Sequence, residues 1–165
     1  YDGSKMRSWD DATKMTEDMI NWYNEMVDDG DRVYILGDVA FSPSKFRDVM
    51  SRLKGRKVLV PGNHESRRFD KVCASLDVEV RGYIVKKGFI MSHIPIHPDS
   101  LSRWQLNIHG HTHANRVKHT HTKRVHGIMT GVVTEDDPHY FCACVEQTNF
   151  RPILLDDILK QRGLV

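Results

Sequence analysis

Four apolar runs in this chain each end in side chains that can hold a metal ion. "VYILGD" ends in Asp38, "VLVPGNH" in Asn63 and His64, "FIMSH" in His93, and "NIHGHTH" in His111 and His113. A carboxylate can bridge two divalent ions, while neutral imidazoles and an amide oxygen complete the coordination without adding negative charge. Two ions roughly 3.5 to 4 Å apart acidify a bridging water and clamp a phosphoryl oxygen. This mixture of nitrogen, carboxylate and amide ligands suits Mn, Fe, Zn or Ni better than Ca or Mg.

Residues so far apart in the chain meet only if the elements before them converge. "RVYIL", "KVLV", "FIMSH" and "LNIH" read as strands, and in open α/β sheets ligands gather at the carboxyl ends of strands. Gly37, Gly62 and Gly110 stand immediately before the polar residues, which suits sharp turns and close approach of backbone to an ion. His111 and His113, two apart on an extended segment, are expected to point the same way. Met15, Met19, Trp22, Tyr23 and Met26 recur at helical spacing after Asp10 and Asp11, either of which can cap. They predict a helix over residues 11 to 28 with this stripe in the core. A second helix runs through Phe46, Val49, Met50 and Leu53 to Gly55, and a short one is expected over residues 66 to 75. "YIVKKGFIMSH" reads as a hairpin, "HYFCACVE" as a strand and "LLDDILKQ" as a closing helix. The basic segment from Arg116 to Arg124 reads as a solvated, mobile loop. Strands alternating with helices favour a layered α/β arrangement.

A chain of 165 residues fits one domain, residues 1–165, with a substantial core. Hydrophobic residues at 39% and charged residues at 28% exclude a disordered chain, and no apolar run has the length of a membrane span. The net charge of +2 is too small to argue for nucleic acid by itself. Cys73, Cys142 and Cys144 are odd in number and lack zinc-type spacing, which points to a reduced, cytoplasmic setting.

In this order, "GD", "GNHE", "SH" and "GHTH" resemble the successive signature blocks of the calcineurin-like metallophosphoesterases, small phage and bacterial type, across residues 33 to 113. The resemblance implies a four-layered α/β/β/α sandwich and two divalent transition-metal ions. It implies hydrolysis of phosphate mono- or diesters by a dinuclear-metal-activated hydroxide attacking in line. Asp38 would bridge both ions, with Asn63, His93 and His111 holding one and His113 the other. His64 would face the substrate, stabilising the transition state or protonating the leaving oxygen. Glu65 matches an acidic position that would support the ligands from behind. The family also has a first strand ending in an Asp-Xaa-His block, which nothing from Tyr1 onward supplies. Asp137, Pro138 and His139 precede a strand instead of following one and read as a turn. The expectation is that the first strand is missing from the chain, and that the natural protein carries on the order of twenty more residues at its start.

Arg67 and Arg68 follow "GNHE" closely enough to meet a substrate phosphate, and His97, after Pro95, is placed at the cleft. Helix surface charge and a solvated loop histidine are the alternatives. His109 alternates with His111 and is expected on the same side, as a ligand, a support for one, or a packing residue. His119, His121 and His126 stand among Arg116, Lys118, Lys123 and Arg124, where a phosphate-rich partner could bind. Cys142 and Cys144 are read as small apolar residues packed on one strand face. The leading expectation is a metal-dependent phosphoesterase acting on a phosphorylated small molecule or nucleotide. A non-catalytic binding module of the same fold and a nuclease-type member acting on nucleic acid are the alternatives.

Overall fold

The first helix, α1 (Ala12–Met26), starts at Asp11, whose carboxylate accepts from the Thr13 N–H at 2.7 Å and satisfies one orphan donor of the first turn. The computed structural model describes residues 9–65 and 67–165, apart from the Arg67 side chain. The apolar stripe of α1 is not core. Ile20 is buried, Met15, Met19, Trp22 and Tyr23 are half-buried, and Met26 is exposed. The reason is that α1 docks on the end of a neighbouring helix and its exit turn. Tyr23 donates to the Lys54 carbonyl at 3.0 Å, and the Asn24 side chain bonds both the Arg52 carbonyl and the Lys54 N–H.

Strand β1 (Arg32–Ile35), helix α2 (Pro43–Arg52) and strand β2 (Arg56–Leu59) follow. Ser42 and Pro43 begin α2, a side-chain cap followed by a residue whose missing N–H costs nothing in the first turn. β1 and β2 pair in parallel from Arg32↔Arg56 to Ile35↔Leu59. Helix α3 (Asp70–Ser75) leads to β3 (Glu79–Val80), which completes a three-stranded sheet in the order β1-β2-β3. Successive side chains alternate between its faces. Ile35 and Leu59 meet Phe46, Met50, Phe69, Val72 and Cys73 of the helical layer, while Tyr34, Leu36, Val58 and Val60 point the other way. Phe46 and Met50 are fully enclosed, and burial of each contributes about 1.5–3 kcal/mol.

The second sheet contains β4 (Ile84–Lys86), β5 (Phe89–Ser92) and β6 (Leu106–His109). β4 and β5 form the expected hairpin, and β5 and β6 run parallel. Phe89, Met91, Leu106 and Ile108 share one apolar cluster with Val58 and Val60 of the first sheet, so the two sheets are joined through their side chains. β7 (Lys118–Val125) and β8 (Ile128–Asp136) come next, and β9 (Tyr140–Cys142) returns beside β6 to give the order β4-β5-β6-β9. Helix α4 (Leu155–Gln161) adds Ile158 and Leu159 to the shared cluster. The chain is therefore α/β, with parallel strands covered by helices.

The segment expected as a mobile basic loop is instead a strand. β7 pairs antiparallel with β8, and His126 (φ 49°) and Gly127 (φ 82°) make the two-residue turn between them. The alternation test fails on β7 because it buries neither face, whereas its β-branched Thr120, Thr122 and Val125 favour extended backbone. No helix among the described residues is long and apolar enough to cross a membrane.

Candidate metal centre

β1, β2, β5 and β6 deliver their carboxyl ends to one place. After β1, Gly37 and Asp38 occupy the left-handed region, at φ 84° and 55°. After β2, Gly62 comes so close that a Cβ built on it would stand 2.2 Å from Asp38 Oδ1 and 2.7 Å from the Asp38 nitrogen. A Cβ on Gly37 would stand 2.4 Å from the Gly62 nitrogen and 2.6 Å from His93 Nδ1. Only residues without a side chain let these turns touch.

Glu65 holds the two turns together. Its Oε2 accepts from the N–H groups of Asp38 (2.7 Å) and Gly62 (2.8 Å), and its Oε1 accepts from that of Val39 (2.7 Å). These are charge-assisted bonds to backbone that carries a candidate ligand. Glu65→Gln turns one accepting oxygen into a donor facing an N–H. The expected loss is about 1.5–3 kcal/mol, seen as a lower urea midpoint at unchanged slope. A midpoint equal to wild type would show that the carboxylate does not hold these turns.

His93, buried at the end of β5, sits between the sheets. Its Nδ1 lies 2.7 Å from the Leu36 carbonyl, which can only accept, so Nδ1 carries a proton and donates it. In the neutral ring Nε2 then offers a lone pair, 3.0 Å from Asn63 Oδ1 and 3.3 Å from Asp38 Oδ2. Two things relieve the repulsion among such converging acceptors: a proton on Nε2 donated to the oxygens, or a cation held among them. The His111 ring meets the His93 ring at 5.0 Å, and ligand atoms of Asp38, His93 and His111 all lie within 4.8 Å of one another. One carboxylate, two imidazoles and the nearby amide oxygen fit a transition-metal ion of the Mn, Fe, Zn or Ni class.

His111 and His113 have different partners. β6 stops at His109, and both later histidines have left-handed backbone, φ 67° and 52°, so the two-residue alternation of a strand no longer applies. His111 turns toward Asp38. His113 presents Nδ1 to Glu146 Oε1 at 3.2 Å, and the Glu146 side chain is only 6% exposed. A carboxylate on one ring nitrogen orients the other for ligation. Glu146 lies in the 3-10 turn Val145–Gln147, within a segment read from sequence as strand. The available signal was a lone acidic residue at the carboxyl end of an apolar run.

His64 stands at the mouth of the site. Its backbone N–H donates to Asp38 Oδ1 at 3.1 Å, while its ring Nε2 lies 3.9 Å from Asp38 Oδ2. Phe41, which is 80% exposed, meets the His64 ring edge-on at 4.5 Å. An aromatic residue left in water beside a candidate proton-transfer group is a second feature that sequence reading missed.

Other expected site residues are placed differently. His97 caps the 3-10 turn Pro98–Arg103, accepting from the Asp99 N–H at 3.3 Å, with its side chain 73% exposed. Arg67 opens the turn Arg67–Phe69, and its side chain lies outside the described residues. Of its expected roles, His109 takes the packing one. It is enclosed, with its ring toward Tyr140 and Nδ1 2.8 Å from the Gly110 carbonyl, and burial pushes its imidazole below the usual range. Asp137 and His139 form the expected turn, the Asp137 carboxylate accepting from the His139 N–H at 2.9 Å. The cysteines are not simply apolar packing. The Cys142 sulfur lies 3.3 Å from Thr112 Oγ1, and a hydrogen bond from the Cys144 thiol holds the Cys142 thiol well below its ordinary range.

The fold is that of an α/β protein, and at its converging strand ends Asp38, His93 and His111 are grouped so that they could hold a metal ion. The chain belongs to the same family as the uncharacterized protein MJ1445 of Methanocaldococcus jannaschii. The two are 30% identical over 161 residues, which covers 93% of this chain and 78% of the relative. No protein-family model matches the chain. The crystal structure of AQ665 from Aquifex aeolicus, a protein of unknown function, shares the fold at a TM-score of 0.62. At 22% identity, the match covers 95% of this chain and 88% of that one.

Proposed function

We propose that this protein is a metal-dependent phosphoesterase hydrolysing phosphate mono- or diesters, with the four-layered α/β/β/α architecture of the calcineurin-like metallophosphoesterases. The observation that carries this reading is the convergence of Asp38, Asn63, His93 and His111 from four strand ends onto one point. The two sheets joined through Val58, Val60, Met91 and Ile108, with α2 and α3 packed on the far face of the first, support the proposed layering.

Asp38, Asn63, His93 and His111 would hold one ion, and Asp38 with His113 the other, His113 being aligned by Glu146. Bound divalent ions supply charge for a phosphoryl oxygen and lower the pKa of water. The protein's own residues do the rest. Glu65 and the two glycine turns keep Asp38 in its left-handed conformation. His64, steadied by Phe41 at the mouth, delivers a proton to the leaving oxygen. The proposed substrate is a phosphorylated small molecule or nucleotide.

The full-length protein, stripped by chelator, should lose hydrolysis of bis(p-nitrophenyl) phosphate and regain it with Mn, Zn, Fe or Ni. Hydrolysis that survives stripping, or that no ion elicits, would overturn the proposal. A second reading, a non-catalytic module holding one ion, draws on the fact that Asp38, His93 and His111 form one ligand group while His113 pairs with Glu146. Binding of a single ion at these residues, with no turnover under any metal, would favour it.

A further inference from the structure

The ribbon of β7 and β8 pairs with no other strand among the described residues. A two-stranded ribbon is marginal in water unless something else holds it. Near its base, one face gathers three metal-binding side chains. His119 on β7 stands opposite Glu135 on β8, and His121, two residues along, lies on the same face. The two imidazoles stack, with centroids 5.2 Å apart and planes at 22°.

The spacing among these groups is informative. His119 Nε2 lies 3.5 Å and His121 Nδ1 3.7 Å from the same Glu135 oxygen, and the three ligand atoms fall within 4.8 Å of one another. Neutral and charged hydrogen bonds close at about 2.7–3.2 Å, so neither gap is one. A tetrahedral ion with bonds of about 2.0–2.2 Å separates its ligands by roughly 3.3–3.6 Å, close to what the ribbon presents.

We propose that His119, His121 and Glu135 form a second transition-metal site, separate from the Asp38 group and independent of the phosphoesterase reading. Two imidazoles and one carboxylate select an ion of the Zn type over Ca or Mg, and three protein ligands leave a fourth position for water or a donor from a bound partner. The ion would tie β7 to β8 directly beyond the turn that carries His111 and His113. Because it binds the paired ribbon and not the separated strands, it would favour the ordered ribbon by mass action.

The test uses the whole chain stripped by chelator and titrated with Zn2+ alone. Calorimetry should give one more zinc per chain for wild type than for the double variant His119→Ala/His121→Ala. Glu135→Gln should weaken that site at least about tenfold. Zinc should slow amide exchange across β7 and β8 in wild type and in Asp38→Asn, and leave it unchanged in the double variant. Retention of this ribbon protection in Asp38→Asn separates the ribbon site from the Asp38 centre. Equal zinc stoichiometry in wild type and double variant, or ribbon exchange indifferent to zinc, would overturn the proposal.

Discussion

Asp38→Asn is expected to lower kcat on a chromogenic phosphodiester by about a thousandfold or more, which is on the order of 4 kcal/mol of transition-state stabilisation. The amide is nearly isosteric and keeps an oxygen that can accept from the His64 N–H, now 3.1 Å from Asp38 Oδ1. It removes the negative charge, and with it the attraction that would balance two divalent ions. The urea midpoint should therefore stay close to wild type while metal affinity and turnover collapse together. Steady-state kinetics at saturating Mn, with metal content measured on the same samples, checks this. Undiminished turnover would remove Asp38 from any catalytic role, and a matching loss of midpoint would assign the effect to folding.

Gly62→Ala carries the second large effect, through packing alone. The added methyl would sit 2.2 Å from Asp38 Oδ1 and 2.7 Å from the Asp38 nitrogen, a backbone atom, as well as 2.7 Å from the His93 ring. No rotamer change relieves a contact with backbone, so the two turns must separate by something near 1 Å. A displacement of that size at a reacting centre costs about a hundredfold in rate, and overpacking costs about 1–3 kcal/mol of stability. Gly82→Ala is the control, since nothing lies within 4 Å of a Cβ there. Parallel assays of the two variants decide the matter. Equal activity in both would mean that the glycine turns are not what aligns Asp38 with His93.

Much of this was legible along the chain because its causes are local. Apolar runs such as "KVLV" form strands, and Asp11 starts a helix through atoms a few residues away. The readings that failed were those that extended a local rule past its end. Strand alternation, carried beyond His109, treated His111 and His113 as an extended pair, where both have left-handed backbone and different partners. The Met and aromatic stripe of α1 was correctly periodic, but a period does not say how deeply the face is covered.

By itself the sequence determined the α/β elements outside the β7–β8 ribbon, the glycine turns and the residue types that end each strand, since backbone preference and side-chain period act over a few residues. Tertiary structure alone decided which imidazoles face Asp38, that Glu146 aligns His113, that Phe41 steadies His64, and that His119 and His121 meet Glu135 across a ribbon. Those pairings join positions far apart in the chain, as Asp38 and His111 are, and depend on strand register and on turns whose φ is set by packing from both sheets. A chain records such long-range contacts only through the fold that brings them together.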